Sequence, residues 1–485
     1  MSLIELAGVG VGGRAVACND EFFAPVANLI ADGVPQWHEG EYTDRGKWMD
    51  GWETRRRREP GHDWAIIGVG LPGVVEEVVV DTAHFKGNYP ESFSLEACGV
   101  GTDERLEEAE WVEIVPLTPL AGDTANRFEV ASQSRVTHLR LNIFPDGGVA
   151  RLRVMGTPIP AHDQVCPDRA YAEMAGLAVG GEMIGVSDDF FSDPGRMLRP
   201  GPSAGMFDGW ETRRRRGQGN DWAIVRLGLA GIPRTAVVDT THFKGNAPGW
   251  VSIEGGQNPN GPWKELLPMS PVSADTENRF ELEPADCSLV RLSIFPDGGV
   301  ARLRLFGQAS GEAAAAARLR YLNSLFEQEA RRFFQTACHA RAFEEQMMSA
   351  RPYVSVNQVL EGADSCLSGL SGDQLREAFT AHPRIGERRG GQEAEGEAMS
   401  RSEQAGAGRA DPGTLARLAA GNAAYESRFG FPFIVAAAGR SAAEVLEVLE
   451  TRIHNDAEHE LAEAAAAQKL ITRRRLEKML CVGGG

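Results

Sequence analysis

Apolar and polar positions follow two different periods along this chain. Up to about residue 308 the pattern is that of strands. Val136-Thr137-His138-Leu139-Arg140-Leu141-Asn142-Ile143 largely alternates apolar with polar residues, as a half-buried strand does. The run Val78-Val79-Val80-Asp81 and its partner Thr235-Ala236-Val237-Val238-Asp239 are rich in β-branched residues. Pro-Asp-Gly-Gly at 145–148 and 296–299 predicts turns, because proline fixes φ and glycine supplies the positive φ that a tight turn needs. Beyond that point the period becomes helical. Leu319, Leu322, Leu325 and Phe326, then Phe333 and Phe334, form one stripe within 317–349. Ser371 to Ala381 reads as a helix stopped before Pro383. Asp411-Pro412 offers an N-cap followed by proline at the first helical position, and Ser441 with Glu444 forms a capping box. Ile471 to Leu480 predicts a final amphipathic segment.

The strand-rich part repeats itself. Asp50-Gly51-Trp52-Glu53-Thr54-Arg55-Arg56-Arg57-Arg58 returns unchanged as Asp208 to Arg216, Asp63-Trp64-Ala65-Ile66 returns as Asp221 to Ile224, and His84-Phe85-Lys86-Gly87-Asn88 returns as His242 to Asn246. Phe144 to Arg153 returns as Phe295 to Arg304. Each copy has the size of a whole domain rather than a solenoid unit. The predicted architecture is therefore multidomain: two tandem β-sandwich (jelly-roll-like) domains at 1–158 and 159–308, joined near Pro158-Ile159-Pro160, then an all-α bundle at 316–485. Composition agrees. All nine tryptophans lie at or before Trp263, and the stretch after Gly311 turns rich in Ala, Glu and Arg. A length of 485 residues suits about three domains.

A net charge of −18 argues against a nucleic-acid partner, although local arginines can still meet a small anion. No apolar run reaches a membrane-spanning length, and neither a secretory signal nor a lipidation tag is visible, so a cytoplasmic setting without membrane contact is expected. The seven cysteines are scattered and never in C-x-x-C spacing, which suggests neither a disulfide framework nor a zinc cluster.

The doubled blocks, together with Asp20-Glu21-Phe22-Phe23-Ala24-Pro25, resemble allantoicase over about residues 1–308. The resemblance implies two jelly-roll-like repeats that hydrolyse allantoate to ureidoglycolate and urea. The second copy departs at its first block, with Asp188-Asp189-Phe190-Phe191-Ser192, so the halves are expected to be unequal. The residue types suit the chemistry. Arginine forks bind carboxylates bidentately, carboxylates accept urea N–H groups, and expelling urea needs a proton donor and a base for water. His84 and His242 are the repeat-matched pair among ten histidines. With them the candidate site comprises Asp50, Asp208, Glu53, Glu211, Arg55, Arg213, Lys86 and Lys244; Asp63, Asp81 and their mates Asp221 and Asp239 are further acceptors. Against this stand plainer readings: the arginine run as a solvated strand face, and Trp64 and Trp222 as core packing. No ligand cluster for a metal is evident, and that question stays open.

In the helical part, Ala381-His382-Pro383-Arg384-Ile385-Gly386, Ser400-Arg401-Ser402-Glu403-Gln404 and Phe429-Gly430-Phe431-Pro432-Phe433-Ile434 resemble, in order and spacing, the decarboxylase of 2-oxo-4-hydroxy-4-carboxy-5-ureidoimidazoline (OHCU) over roughly 316–481. The resemblance implies a cofactor-free release of CO2 giving (S)-allantoin. It places the catalytic histidine at His382 and its acidic partner at Glu403, with substrate contacts at Pro383, Ser400, Gln404, Phe433, Ile434, Val435 and Ala437. The substrate ring, with its carbonyl and C=N, serves as its own electron sink, so the protein need only orient the carboxylate and handle protons. The combined expectation is a bifunctional enzyme of urate catabolism, acting on small molecules and forming a homo-oligomer. Two other readings are a tandem β-sandwich that serves as a ligand-binding module, and a helical domain that serves chiefly in assembly.

Overall fold

A computed structural model describes residues 3–101, 106–166, 171–382, 384, 411–437 and 439–482. The chain divides into two compact units, Met1–Phe326 and Glu327–Gly485. The first contains both repeats, each an antiparallel β-sandwich built around one long strand. In the first repeat this is Asp63–Asp81. Its N-terminal part pairs with Arg14–Cys18 and Arg135–Phe144, and its C-terminal part with Arg151–Pro158 and Ala125–Glu129. The strand thus passes from one layer to the other. Ser92–Cys98 and Val112–Pro119 extend the sheet beyond Arg135–Phe144. The second repeat reproduces this arrangement around Asp221–Asp239, with Cys287–Phe295, Arg302–Ala309, Trp250–Gly256 and Lys264–Pro271 in the corresponding places.

Each sandwich encloses its own apolar core. Ile67, Val75, Leu95, Leu139 and Leu141 fill the first; Val225, Val238, Ile253, Val290 and Leu292 fill the second. The tryptophans that are fully buried are Trp52 and Trp210, whereas Trp64 and Trp222 are only half-buried, against the core role expected for them. The reason is pleat parity. Asp63 and Ala65 point inward on either side of Trp64, so its indole lies on the outer face. The arginine run is not a strand: the short strand Trp52–Glu53 ends before it, and Arg55 and Arg57 each find a carboxylate partner.

Helix Gly311–Ser324 belongs to the first unit. It packs on strand Asp221–Asp239, and the ring of Tyr321 lies between the guanidinium groups of Arg135 (5.4 Å) and Arg318 (4.2 Å). The single stripe read over 317–349 is therefore three helices: this one, Glu327–Ala337 and Arg341–Ser349. The second unit is all-α. Its further helices are Val356–Gly369, Gly372–Thr380, Pro412–Phe429, Ala442–Arg452 and Ala457–Met479. The caps read from sequence are present: Asp411 accepts from the Gly413 and Thr414 amides, and Ser441 and Glu444 complete their box. The last helix begins earlier than the stripe suggested, at an N-cap supplied by Asp456. Among the described residues, no helix is long and apolar enough to cross a membrane.

One contact sets the sandwich end of each repeat. A Cβ on Gly148 would lie 2.0 Å from the ring of the fully buried Phe85, and a Cβ on Gly299 equally close to Phe243. Gly148→Ala is expected to destabilise the first unit by about 2 kcal/mol through overpacking. Gly87→Ala, at a site with nothing within 4 Å of the added methyl, should change stability by less than about 0.5 kcal/mol. Thermal unfolding of the two variants reads the contrast.

Candidate functional sites

The Phe85–Gly148 contact brings three loops to one place. Trp52–Glu53 pairs with Gly148–Val149, and the Gly148 amide donates to the Asn88 carbonyl at 2.7 Å. Asn88 Nδ2 then donates to Glu53 Oε1 at 2.7 Å. The Asp50 carboxylate accepts from Arg151 Nη2 at 2.7 Å and from the Gln36 amide at 2.7 Å. His84 sits at φ 71°, a left-handed conformation uncommon for residues other than glycine. Its amide donates to Asp123 Oδ1 at 2.8 Å, and its Nε2 lies 3.3 Å from the Pro35 carbonyl. Just ahead of it, Asp81 accepts from the Ala83 amide at 2.8 Å, and the Thr82 hydroxyl donates to the Ala121 carbonyl at 2.6 Å. Every unusual backbone group of the turn is thereby held. Lys86 is exposed, with its Nζ 3.7 Å from Asp123.

The two carboxyl groups differ electrostatically. Burial raises the Glu53 carboxyl, and the Asn88 amide only partly opposes this. Burial also acts on Asp50, but the Arg151 hydrogen bond, the Gln36 amide and the charges of Arg151 and His84 outweigh it and hold Asp50 below the usual range. Within one cluster the two carboxyl groups are thus shifted in opposite directions, a separation that acid–base chemistry can use.

The side-chain pairings of this cluster recur in the second repeat. Asn246 donates to Glu211 at 2.7 Å, and His242, at φ 75°, binds Asp275 through its amide at 2.8 Å and lies 3.0 Å from the Ser203 carbonyl. Lys244 stands 3.7 Å from Asp275, and Arg302 pairs with Asp208 at 2.6 Å. Arg55 and Arg213 are placed differently from the rest. They form ion pairs with Asp20 and Asp188, both at 2.6 Å, in a neighbouring cluster. Asp63 and Asp221 are buried partners of Arg57 and Arg215. Sequence reasoning left out Asp123 and Asp275, which hold the histidine turns. Their signal was a further doubled block, Asp123-Thr124-Ala125-Asn126-Arg127-Phe128-Glu129 against Asp275-Thr276-Glu277-Asn278-Arg279-Phe280-Glu281.

In the helical unit, His382 follows helix Gly372–Thr380, and its Nε2 meets Oε1 of the buried Gln468 at 2.7 Å. Gln468 Nε2 in turn donates to Thr472 Oγ1 at 3.0 Å, so the amide oxygen faces the imidazole and Nε2 carries the proton. Nδ1 is left as the basic nitrogen. Burial, then the charge of Arg475, lower the His382 pKa to about 4 despite the Gln468 hydrogen bond. The extended segment bearing Phe433, Ile434, Val435 and Ala437 is buried. Phe379, on the helix that leads to His382, packs on Phe431 with ring centroids 5.1 Å apart. Arg452 Nη1 donates to the Ile434 carbonyl at 2.8 Å, and the same guanidinium binds the fully buried Glu460, which also accepts from Asn455 (2.8 Å) and the Tyr425 hydroxyl. Pro383, Ser400, Glu403 and Gln404 lie outside the described residues. Among the described residues, no group of three His, Cys, Asp or Glu side chains is arranged to hold a metal ion.

Comparison with known proteins accounts for both parts. The allantoicase repeat model matches residues 4–159 and 172–310, and the OHCU decarboxylase model matches 323–477. A probable allantoicase of Pseudomonas aeruginosa (strain UCBPP-PA14) is 44% identical over 319 residues, covering 63% of this chain and 95% of that protein. One of Streptomyces avermitilis is 42% identical over 333 residues, covering 65% and 88%. The crystal structure of allantoicase from Saccharomyces cerevisiae is 34% identical and superimposes with a TM-score of 0.53, covering 63% of this chain and 93% of that one. The chain belongs to the allantoicase family, and behind its two repeats it carries an OHCU decarboxylase domain.

Proposed function

We propose that this chain is a bifunctional enzyme of urate catabolism that releases urea from allantoate in its β unit and CO2 from OHCU in its helical unit. The observation that carries the first activity is the Asp–Glu–His–Asn cluster held by the doubled motifs at the sandwich end, with an exposed lysine beside it. Allantoate bears a carboxylate and two ureido groups on one carbon. The lysine meets the carboxylate, and the ionised aspartate accepts ureido N–H groups. The cluster's glutamate donates a proton to the departing ureido nitrogen as the C–N bond breaks. The lone pair of the retained ureido nitrogen fills the developing vacancy at carbon. Water then adds to that carbon and returns a proton to the carboxylate. One proton leaves and one comes back, so the products are urea and ureidoglycolate with no other reagent.

In the decarboxylase, neutral His382, with Nδ1 as its basic nitrogen, can take the hydroxyl proton of OHCU as CO2 departs. The buried 433–437 segment offers backbone groups to the ring and ureido amides. Glu403, Ser400, Gln404 and Pro383 are assigned here by the resemblance alone.

The chain is also read as a cytoplasmic homo-oligomer. Its charge of −18 suits a soluble setting, and Phe190, Phe191, Met206 and Phe207 stand exposed on the second repeat, as a self-association surface would. Sedimentation velocity at about 10 µM, well above the dissociation constants of most stable interfaces, should give more than one chain per particle, and a monomer would refute that part of the reading.

The purified chain is expected to release urea from allantoate and to accelerate the decay of freshly generated OHCU. His382→Ala should abolish the second activity and leave the first unchanged. Running the urea assay with and without a chelator decides whether a metal takes part. A chain that yields no urea under either condition refutes the allantoate assignment.

With a pKa near 4, His382 is neutral in the folded protein over a range where it is charged in the unfolded chain, whose value is near 6.5. Its contribution to stability is present above pH 6.5 and is lost as the pH falls towards 4. Decarboxylase kcat/KM should be flat from about pH 7 to about pH 5 and fall only below that, as the base protonates. Gln468→Glu places a carboxylate against the imidazole and should move this acid limb up by about one unit or more. Gln468→Leu should lower kcat by at least about tenfold without moving the limb upward, since the histidine loses its orienting partner. Paired pH profiles of the three proteins check this.

A further inference from the structure

We infer that the two repeats, alike in sequence at the cluster, have divided their work: the first repeat carries the hydrolytic site, and the second commits its cluster aspartate, Asp208, to joining the repeats. The inference rests on the allantoate reading above and adds which cluster is catalytic.

The division begins with a difference in length. The loop between Asp188 and Asp208 is ten residues shorter than the loop between Asp20 and Asp50. In both repeats the loop starts with a short helical turn, Val26–Ile30 or Pro194–Leu198. The residue that follows is Ala31 in the first and Arg199 in the second. Arg199 Nη1 reaches Asp208 Oδ1 at 2.8 Å and, across the boundary between repeats, Asp32 Oδ2 at 3.3 Å. Asp208 therefore has two guanidinium partners, Arg302 and Arg199, besides the Ala204 amide at 3.1 Å. Its first-repeat mate Asp50 has one guanidinium and one amide, and its side chain keeps 15% exposure against 6% for Asp208. The clamp is closely packed: a Cβ on Gly10 of the first repeat would lie 2.4 Å from Arg199 Nη1. A carboxylate that already satisfies two arginines and holds two domains together has little left to offer an incoming ureide.

The longer first-repeat loop uses its extra residues differently. It forms the hairpin Tyr42–Thr43/Gly46–Lys47. Beside this hairpin the Trp37 ring lies against the His84 ring, with centroids 5.5 Å apart, and Lys47 Nζ sits 3.8 Å from the Trp37 ring centroid. An indole face and an ammonium group thus border the histidine of the first cluster. A planar ureido group can lie on the first, and a carboxylate is drawn to the second. The ligand class that fits is a small ureido acid.

Glu53→Gln and Glu211→Gln test the division. Both are isosteric, and both keep an oxygen to accept from Asn88 or Asn246, so neither should move the thermal midpoint by more than about 2 °C. Glu53→Gln is expected to lower kcat for urea release by about 100-fold or more, as loss of a general acid does, and Glu211→Gln to stay within about twofold of the parent chain. Trp37→Leu should raise KM for allantoate several-fold with kcat little changed. Arg199→Ala should lower the thermal midpoint of the β unit while urea release at 25 °C is retained. Equal losses in the two glutamine variants, or a larger loss in Glu211→Gln, would overturn the assignment while leaving the allantoate reading intact. A parent chain without urea release would instead remove that reading and this inference together.

Discussion

The contact between an aromatic ring and the backbone beneath it governs the β unit. Phe85 and Phe243 are fully buried, each against a glycine where even one methyl group would collide. Burial of a phenylalanine contributes on the order of 2–3 kcal/mol, but its larger effect here is positional. With the ring seated, the following lysine is turned outward, the asparagine is delivered to the glutamate, and the histidine before it is forced into a left-handed backbone. No surface residue of the cluster could be placed this well by a loop alone. The scaffold first satisfies the buried ring and the turn's amides, and the polar arrangement comes with it.

The helical unit solves the same problem with buried charge instead of a ring. Glu460 is wholly enclosed, yet Arg452, Asn455 and the Tyr425 hydroxyl all donate to it. Burial, and then the neighbouring Glu460, hold the Tyr425 hydroxyl above its ordinary pKa, so it remains a donor. An enclosed ion pair of this kind contributes little net stability compared with a well-packed apolar substitute; what it supplies is a defined geometry. Here the geometry is that of the Ile434 carbonyl, and through it of the whole extended segment. The imidazole of His382 is held in the same style, by an amide whose other end is already engaged.

Much of this was legible in the sequence because it is local or doubled. The N-caps at Asp411 and Ser441 involve neighbours three residues apart and could be read directly. The repeat exposed the cluster, since duplicated turns preserve the residues that make them. What escaped were long-range pairings. The bond from the His84 amide to Asp123 spans 39 residues, and its mate from His242 to Asp275 spans 33. The partner of His382, Gln468, is 86 residues away. Size misled at Trp64, where a large aromatic suggested the core but the strand's alternation put it outside. The arginine run was read for its charge, yet its partners, Asp20 and Asp63, are set by tertiary structure. The Ser400–Gln404 segment remains an assignment by resemblance, because it lies outside the described residues.

Helix Gly311–Ser324 has a bearing on how such a chain can be divided. It stands where two catalytic parts have been joined and would ordinarily be regarded as a tether. Its Tyr321 is gripped by Arg135 of the first repeat, its flank lies on the long strand of the second, and Phe326 just beyond it packs into the first repeat's core. The connector is thus a brace across the two sandwiches. The natural place to cut this protein is after the brace rather than where the repeats end, and a fragment stopped at the last strand would lose the piece that ties its halves together.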